Sequence, residues 1–344
     1  MSDHEFLSIN QFLTTEMDAR AIKSAMEIGL VEALSNHGAT ALSALSGGRG
    51  INPVGLRLLA DMLEANGVIA RNGELIELTP GFVAALRFRD LMESRIEFAD
   101  LVWPDIHGLF TPLLTDLPQF MARSKVFDLF RYDRCIDVTP ENLKATSAWT
   151  KFTTCLTRYE AAVVLDAVDI ETDRTFIDLG GNTGEFALAL CRRNPELAAV
   201  VVDLPVVCSI GKAHVAANAG AAEVARIAFF PADMREDALP APADLVSFKS
   251  VLHDWPDADA ERLLERACGI VRPGGRLLVF ERAPIDMRGR RIPYVMAPDL
   301  VFLHFLRPAD LYMRRLAQLG FEAIEYRRIE LDIGFHLITA RRPP

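Results

Sequence analysis

The chain has 344 residues, more than one compact core usually holds, so two domains are expected. Half of the residues are hydrophobic, which is typical of a globular protein and excludes a disordered or fibrous chain. The formal net charge of -10 repels phosphate backbones, so no nucleic-acid partner is expected.

The first predicted elements are short helices and a hairpin. Helical periodicity runs from Ala19 to Leu34 and is broken at Gly29. Pro53 suits the first turn of the next helix, and two short apolar runs flank the turn signal Asn72-Gly73. Helices followed by a hairpin predict a winged helix.

This winged helix is predicted to cover residues 1–92. Such folds often bind DNA, but the helix that starts at Pro53 is not basic, so we interpret the region as a dimerisation module. A transcription factor or a non-catalytic binding protein is the alternative, and it would require a basic recognition helix. Residues 93–168 are mostly helical and are predicted to form a connector and a lid over the acceptor pocket.

From residue 169 to residue 344 the pattern alternates between strands and helices. Apolar runs predict strands at 175–179, 198–203, 244–248 and 276–281. Alternating strands and helices give a parallel sheet covered on both faces, and two final strands joined by a tight turn add an antiparallel end. The predicted class is α/β, with a Rossmann-like C-terminal domain behind the helical winged-helix domain.

A glycine-rich loop follows the first of these strands. It reads Asp178-Leu179-Gly180-Gly181-Asn182-Thr183-Gly184, and the second strand ends at Asp203. The glycines allow a tight turn and the close approach of a ligand, and an acid at the end of the second strand can accept both hydroxyls of a ribose. This order of strand, glycine loop, helix, strand and acid predicts a nucleoside cofactor. The order alone does not separate a mononucleoside from a dinucleotide.

Two details favour S-adenosylmethionine over a nicotinamide. The loop is G-G-N-T-G rather than G-x-G-x-x-G. A third acid, Asp233, follows another strand-like run and is placed to accept from an adenine amino group, with Met234 packing on the ring.

These motifs resemble the S-adenosylmethionine-dependent methyltransferases typified by plant caffeate and bacterial antibiotic O-methyltransferases. The resemblance covers nearly the whole chain, and its motifs occur in order: Asp178-Leu179-Gly180-Gly181, Val202-Asp203-Leu204-Pro205, Ala232-Asp233-Met234, Leu252-His253-Asp254-Trp255 and Pro273-Gly274-Gly275-Arg276.

The resemblance implies a homodimer joined through the N-terminal domain and a small-molecule methyl acceptor. It implies that Gly180, Asp203, Asp233, Met234 and Lys249 contact the cofactor. The full predicted cofactor set also includes Asp178, Gly181, Gly184 and Leu204.

The predicted catalytic residues are His253, Asp254 and Glu281. His253 and Asp254 follow the predicted strand at 244–248, and ligands of open parallel sheets bind at such strand ends. The resemblance implies that His253 is a general base and that Glu281 orients it. A histidine suits this role because its pKa lies near working pH.

One segment departs from the O-methyltransferase pattern. Where that family carries Gly-Gly-x-x-Arg and plant members have a second glutamate, this chain has an apolar run that contains His304. His253, Asp254 and His304 make a two-histidine, one-carboxylate set that suits Fe(II) or Zn(II). A subgroup resembling this family, the 2-oxo-acid C-methyltransferases, uses such a set.

Two acceptor reactions therefore compete. The sequence favours metal-dependent C-methylation of a 2-oxo acid through a chelated enolate, because His304 and the missing glycines are explained together. The alternative is metal-free O-methylation of a phenolic or hydroxylated metabolite with His253 as base.

The cysteines and the N-terminal residues predict the cellular compartment of the protein. The five cysteines form no CxxC pair, so we expect free thiols in a reducing compartment. The N-terminus, residues 1–21, has no apolar stretch of the kind found in signal peptides, and no apolar run is long enough to span a bilayer. A cytoplasmic protein without a membrane partner is expected.

Overall fold

A computed structural model describes residues 4–47, 51–289 and 291–344 of the chain. The chain divides into two compact units, one made of Met1–Phe110 with Met287–Leu300 and the other of Thr111–Asp286 with Val301–Pro344. Residues 111–168 of the predicted connector lie in the second unit. The predicted N-terminal region includes residues 1–3 and 48–50, which lie outside the described residues.

The secondary structure follows the predicted order of a helical first part and an alternating second part. The helices are α1 (Glu16–Glu27), α2 (Leu30–His37), α3 (Leu42–Gly47), α4 (Pro53–Ala65), α5 (Pro80–Ala85), α6 (Arg89–Thr115), α7 (Leu117–Arg123), α8 (Lys125–Leu129), α9 (Pro140–Ala167), α10 (Glu185–Arg193), α11 (Pro205–Asn218), α12 (Ala221–Val224), α13 (Asp257–Gly269), α14 (Ala297–Val301) and α15 (Ala309–Gln318). The strands are β1 (Thr40–Ala41), β2 (Ile69–Asn72), β3 (Leu75–Leu78), β4 (Thr175–Leu179), β5 (Ala198–Asp203), β6 (Ile227–Pro231), β7 (Ala243–Lys249), β8 (Val271–Arg282), β9 (Glu322–Glu330) and β10 (Gly334–Arg341). Short 3-10 helices lie at Glu5–Phe12, Leu86–Phe88, Tyr132–Cys135, Leu252–Asp254, Tyr294–Met296 and Leu303–Phe305.

Local sequence signals set the helix ends of the first unit. Thr15 caps α1 by accepting from the Asp18 backbone N–H, and the Asp18 side chain accepts from Thr15 in return. Gly29 has a φ of 69°, a left-handed conformation that separates α1 from α2 as the broken periodicity predicts. Pro53 occupies the first turn of α4 behind an Asn52 cap.

The first unit contains the predicted hairpin. Strands β2 and β3 pair antiparallel, and a two-residue β1, which the sequence did not indicate, pairs with β3 to give the sheet order β1-β3-β2. The chain segment around Tyr294 belongs to the same unit. Its ring stacks on Trp103 at 5.6 Å between centroids, and its hydroxyl donates to Asp100 at 2.5 Å.

The second unit is built on a seven-stranded sheet in the order β6-β5-β4-β7-β8-β10-β9. The pairs among β6, β5, β4, β7 and β8 are parallel, whereas β10 is antiparallel to both β8 and β9. This confirms the predicted mostly parallel sheet, with the difference that the antiparallel strand β10 lies inside the edge strand β9. The carboxyl ends of β4, β5 and β7 share one edge of the sheet.

An apolar core holds this sheet against its helices. Strand residues such as Val246, Phe248 and Leu277 are 0 % exposed and pack with Leu264 of α13 and Leu316 of α15 in one cluster. Burial of this kind supplies the main driving force for folding. The core therefore fixes the strand ends on which the polar residues stand.

Two further sequence expectations concern cysteines and membranes. All five cysteines are thiols outside any disulfide, and four of them are buried. Among the described residues, no helix combines the length and apolar character needed to cross a bilayer.

We expect Leu264→Ala to lower the free energy of unfolding of the second unit by about 2–5 kcal/mol, because it leaves a cavity in a fully buried core. Urea titrations followed by circular dichroism would measure the change. Leu114→Ala is the matched control, since Leu114 is 56 % exposed and its truncation should cost less than about 0.5 kcal/mol. Equal costs for the two variants would contradict this account of the core.

Candidate active site

The glycine loop joins β4 to α10 and lies against the turn that follows β7. Gly180 has a φ of 69°, and its backbone N–H donates to the Val202 carbonyl at 2.8 Å. A Cβ atom at Gly180 would lie 2.7 Å from Cγ2 of Val251. Only glycine fits this position without a shift of its neighbours, so the loop and the turn after β7 are in close contact.

Asp178 lies under the loop with one oxygen unpaired. The Ser247 hydroxyl donates to Oδ1 at 2.6 Å, whereas buried Oδ2 has no hydrogen-bond partner among the described residues. Burial raises the pKa of Asp178 to about 7, against the opposing effects of Ser247 and Lys249. A Cβ at Gly181 would lie 2.6 Å from this oxygen, so the backbone there is close to the carboxylate.

Asp203 ends β5 with its carboxylate turned to the loop. Its two oxygens accept from the backbone N–H groups of Asn182 at 2.8 Å and Leu204 at 2.7 Å. Burial raises the pKa of Asp203 to about 6, although both of these hydrogen bonds lower it. Gly184 is the N-cap residue of α10 and ends the loop. With the contacts above, the structure brings Asp178, the loop glycines, Asp203 and Leu204 together.

The third predicted acid has a partner already. Arg235 donates to both carboxylate oxygens of Asp233, at 2.9 and 2.6 Å, and this ion pair lowers the pKa of Asp233. The Arg235 guanidinium also lies over the Trp255 ring at 4.3 Å. The Cε atom of Met234 lies 3.5 Å from where a Cβ of Gly180 would be, so Met234 borders the loop.

Lys249 ends β7 and lies in a buried ion pair. Its ammonium group donates to Oε2 of Glu160 and, at 3.1 Å, to Oγ1 of Thr157. The Lys249 side chain is 6 % exposed. The contacts of Asp233 and Lys249 with a cofactor stay predictions, because each side chain is engaged by another residue of the chain.

His253 lies on the short 3-10 helix that follows β7 and is anchored by Glu281 at the end of β8. Nδ1 of His253 lies 2.7 Å from Oε2 of Glu281. The other oxygen of Glu281 accepts from the backbone N–H groups of Val251 and Leu252 at 2.6 and 2.7 Å. One fully buried carboxylate therefore fixes both the turn and the imidazole.

Charge and burial oppose each other at this pair. Burial lowers the pKa of His253, but the carboxylates of Glu281 and Asp254 outweigh it and hold that pKa above its ordinary value. Burial raises the pKa of Glu281, yet His253 and the two backbone donors bring it below its usual range. At neutral pH Glu281 is ionised and keeps Nδ1 protonated, so Nε2 is the nitrogen that can accept a proton.

Asp254 lies beside that nitrogen. Oδ1 of Asp254 is 3.5 Å from Nε2 of His253, and Oδ2 accepts from the Tyr132 hydroxyl at 2.8 Å. The strand has ended before His253, as the sequence predicts, so both adjacent side chains can face one site. The structure thus brings His253, Asp254 and Glu281 together.

His304 does not join His253 and Asp254 in a metal site. It is an exposed residue whose Nε2 lies 2.6 Å from the Leu113 carbonyl. Among the described residues, which include all three predicted ligands, no group of three or more His, Cys, Asp or Glu side chains is arranged to hold a metal ion. The predicted two-histidine, one-carboxylate set is therefore not assembled, because the segment that carries His304 directs that side chain to a backbone carbonyl.

The same segment instead contributes residues that sequence reasoning missed. Arg307 is 5 % exposed and donates to the carbonyls of Leu252, at 2.8 Å, and Trp255, and to Asp257 at 2.6 Å. It clamps both sides of the turn that carries His253. The sequence signal that could have pointed to Arg307 is a single arginine before a proline at the end of an apolar run.

An aromatic cluster of Phe302, Phe127 and Phe130 reaches His253 through Phe302. The ring of Phe302 meets the imidazole edge to face at 6.1 Å between centroids, and it contacts Phe127 and Phe130 at 5.9 and 6.1 Å. Phe302, Phe127 and Phe130 are partly exposed. The imidazole of His253 is therefore bordered by an uncharged aromatic cluster as well as by the Asp254 carboxylate.

Comparison with known proteins finds one family model and many relatives. The model of the O-methyltransferase domain matches residues 137–306, about half of the chain. Acetylserotonin O-methyltransferase of Bos taurus is 41% identical over 133 residues, which are 39% of this chain and 37% of that enzyme. The mitomycin biosynthesis 6-O-methyltransferase of Streptomyces lavendulae is 28% identical over 82% of this chain and 78% of that enzyme.

The match to the bovine relative thus spans little more than a third of that enzyme's length. Solved structures extend the likeness of the fold. Mitomycin 7-O-methyltransferase has a TM-score of 0.70 at 22% identity and covers 94% of each chain. Human N-acetylserotonin methyltransferase, solved in complex with S-adenosylmethionine, has a TM-score of 0.63 at 22% identity, over 96% of this chain and 95% of that one.

We expect Glu281→Gln to lower the pKa of His253, because it removes the nearer of the two negative charges that hold this pKa up. A pH titration of the histidine ring signals by NMR would measure the change. Glu330→Gln removes an exposed carboxylate and should leave the His253 titration unchanged. An unshifted midpoint in Glu281→Gln would contradict the assigned charge balance.

Proposed function

This chain belongs to the O-methyltransferase family that the domain model describes, and we propose that it methylates a hydroxyl group of a small aromatic acceptor. The proposed methyl donor is S-adenosylmethionine, and the proposed general base is His253. The observation that carries the proposal is the buried pair formed by Glu281, at the end of β8, and His253, on the turn that lies against the glycine loop. Base and donor site are therefore adjacent.

The residues at the loop suit the proposed donor. The unpaired Oδ2 of Asp178 is a buried acceptor that lacks a donor, and a positively charged amino group of a ligand would supply one. Asp203 keeps free lone pairs on both oxygens for ribose hydroxyls, since each oxygen accepts a single backbone hydrogen bond. When bound, S-adenosylmethionine would supply an electrophilic methyl group on a sulfonium centre.

The chain's own residues would handle the proton. Nε2 of His253 would accept it from the acceptor hydroxyl while that oxygen takes the methyl group, whose bond to sulfur would break to leave a neutral thioether. Glu281 would keep Nδ1 protonated and stabilise the imidazolium that forms, because its carboxylate is held ionised by two backbone N–H donors. The burial of both side chains excludes water and strengthens this interaction.

The aromatic surface supports a planar acceptor. Phe302 stands against the imidazole, and Phe127 and Phe130 extend the surface away from it. Aromatic side chains favour stacked or edge-to-face contacts with another ring. Relatives that the chain matches are named for hydroxylated or aromatic small molecules, among them 3-hydroxy-5-methyl-1-naphthoate 3-O-methyltransferase of Streptomyces sahachiroi, at 35% identity over 130 residues.

We do not propose the metal-dependent C-methylation that the sequence favoured. Its third ligand, His304, is engaged by the Leu113 carbonyl, and the described ligand residues form no metal set. The relatives from Bos taurus, Streptomyces sahachiroi and Streptomyces lavendulae are all named O-methyltransferases. The alternative from the sequence therefore becomes the proposed function.

The homodimer implied by the resemblance stays a prediction. Val54 and Leu58, one turn apart on α4, are 66 % and 62 % exposed, and Met17 on α1 is 58 % exposed. Exposed apolar side chains in the first unit support a role for it in association with a second copy.

Incubation with S-adenosylmethionine and a panel of phenols and 2-oxo acids, read by mass spectrometry, would test the function. We expect a mass gain on the oxygen of a phenol. His253→Gln should lower kcat by about 100-fold or more, with the Kd for S-adenosylmethionine unchanged by calorimetry. The control is His37→Gln on the exposed end of α2. Methylation of 2-oxo acids alone would refute the proposal.

His304→Ala is expected to retain activity within about twofold, because the His304 side chain is exposed and its contact is with the Leu113 carbonyl. Addition of a chelator should likewise leave the rate unchanged. Initial rates with and without EDTA would check both points. Loss of turnover in either case, restored by Fe(II) or Zn(II), would favour the metal-dependent reaction instead.

A further inference from the structure

Tyr132 reaches the candidate site from a part of the chain that the proposed mechanism does not use. It begins the short 3-10 helix between α8 and α9 and is partly buried. Its ring lies between Trp149 and Trp255, at 6.0 and 5.7 Å between centroids. These two indoles limit the movement of the phenol, whose hydroxyl donates to Oδ2 of Asp254 at 2.8 Å.

The other oxygen of Asp254 is close to the base without being bonded to it. Oδ1 lies 3.5 Å from Nε2 of His253, beyond the usual range of about 2.7–3.2 Å for such a hydrogen bond. Glu281 already occupies Nδ1, so Nε2 is the position that an acceptor hydroxyl needs. A carboxylate that moved inward by a few tenths of an ångström would occupy that position itself.

Glu281 and Asp254 hold the pKa of His253 above its ordinary value. When the imidazole is protonated, an unrestrained Asp254 carboxylate would close on Nε2, because opposite charges in a buried site attract strongly. His253 faces Glu281 and Asp254, and Arg282 is the further charged group near it. The arginine also acts on Asp254. The hydrogen bond from Tyr132 is the contact that draws Asp254 in the opposite direction.

We propose that Tyr132 is a positioning residue that holds the Asp254 carboxylate away from Nε2 of His253 and so keeps the base open to the acceptor. This inference rests on the proposed function of His253. The phenol suits the task because it is a neutral donor: burial and the charge of Asp254 raise the pKa of Tyr132 well above its ordinary value. The charge of Asp203 acts in the same direction.

The proposal separates two effects of removing the hydroxyl. In Tyr132→Phe, Asp254 is released and pairs with Nε2, so kcat falls by about tenfold, as expected for loss of a hydrogen bond to a charged group. In an Asp254→Asn background no carboxylate is available to block the base, so the same Tyr132→Phe change has no further effect. A merely structural tyrosine would cause the same loss in both backgrounds.

The kinetic test is a double-mutant cycle with the variants Tyr132→Phe, Asp254→Asn and their combination. Tyr294→Phe is a matched control, since Tyr294 is another buried tyrosine that donates to an aspartate, but lies in the first unit. It should leave kcat unchanged. Equal losses from Tyr132→Phe in both backgrounds, or no loss in the native background, would overturn the proposal.

A second measurement is independent of turnover. Crystal structures of the unaltered protein and of Tyr132→Phe would give the separation of Oδ1 of Asp254 and Nε2 of His253, which we expect to shorten to below about 3.2 Å in the variant. A separation that stays near 3.5 Å in the variant would overturn the inference. If no acceptor is methylated by the unaltered protein, the proposed function fails, and the crystal structures still decide what Tyr132 does to Asp254.

Discussion

The carboxylate of Glu281 is the contact on which the candidate site depends. It ends β8 inside the sheet and accepts from His253 and from the two backbone N–H groups that open the turn after β7. A buried charge is costly unless it is paired and hydrogen-bonded, and here three donors meet it. The turn, the imidazole and its protonation are therefore set by one side chain.

Burial and hydrogen-bond partners also set the pKa values of the two acids at the glycine loop, Asp178 and Asp203, but there the effect of burial is the larger. Burial raises the pKa values of Asp178 and Asp203 to about 7 and about 6, whereas the pKa of the buried Glu281 is lowered by its partners. The difference lies in the partners, because Asp178 keeps one oxygen unpaired, whereas Glu281 faces the imidazole of His253 and two backbone N–H donors. Hydrogen-bond donors of a bound ligand would pair with Asp178 and Asp203, whereas the hydrogen bonds of Glu281 come from residues of the chain itself.

The segment around residues 302–307 gives the acceptor side its character. Phe302 presents an aromatic ring to the base, and Arg307 ties the turn to the chain on both sides of His253. This segment is where the sequence departs from the O-methyltransferase pattern. In the fold, this segment supports the turn that carries His253 through Arg307. It does not supply a third metal ligand.

Much of the site followed from short-range signals. The glycine loop, the acid after β5 and the histidine after β7 were identifiable because each stands at the end of an apolar run, and ends of parallel strands meet at one edge. The role of His304 was misjudged for the converse reason. Its spacing from His253 suited a metal set, but spacing along the chain does not state in which direction a side chain outside regular structure points.

The sequence by itself determined the order of strands and helices, the helix start at Pro53, the left-handed break at Gly29 and the residues of the glycine loop, because periodicity and backbone constraints act within a few residues. Only the tertiary structure decided that Tyr132 meets Asp254 across 122 residues of chain, that Arg307 clamps the catalytic turn and that Lys249 pairs with Glu160. Those contacts depend on how distant elements pack, and no local pattern encodes the packing of side chains that far apart.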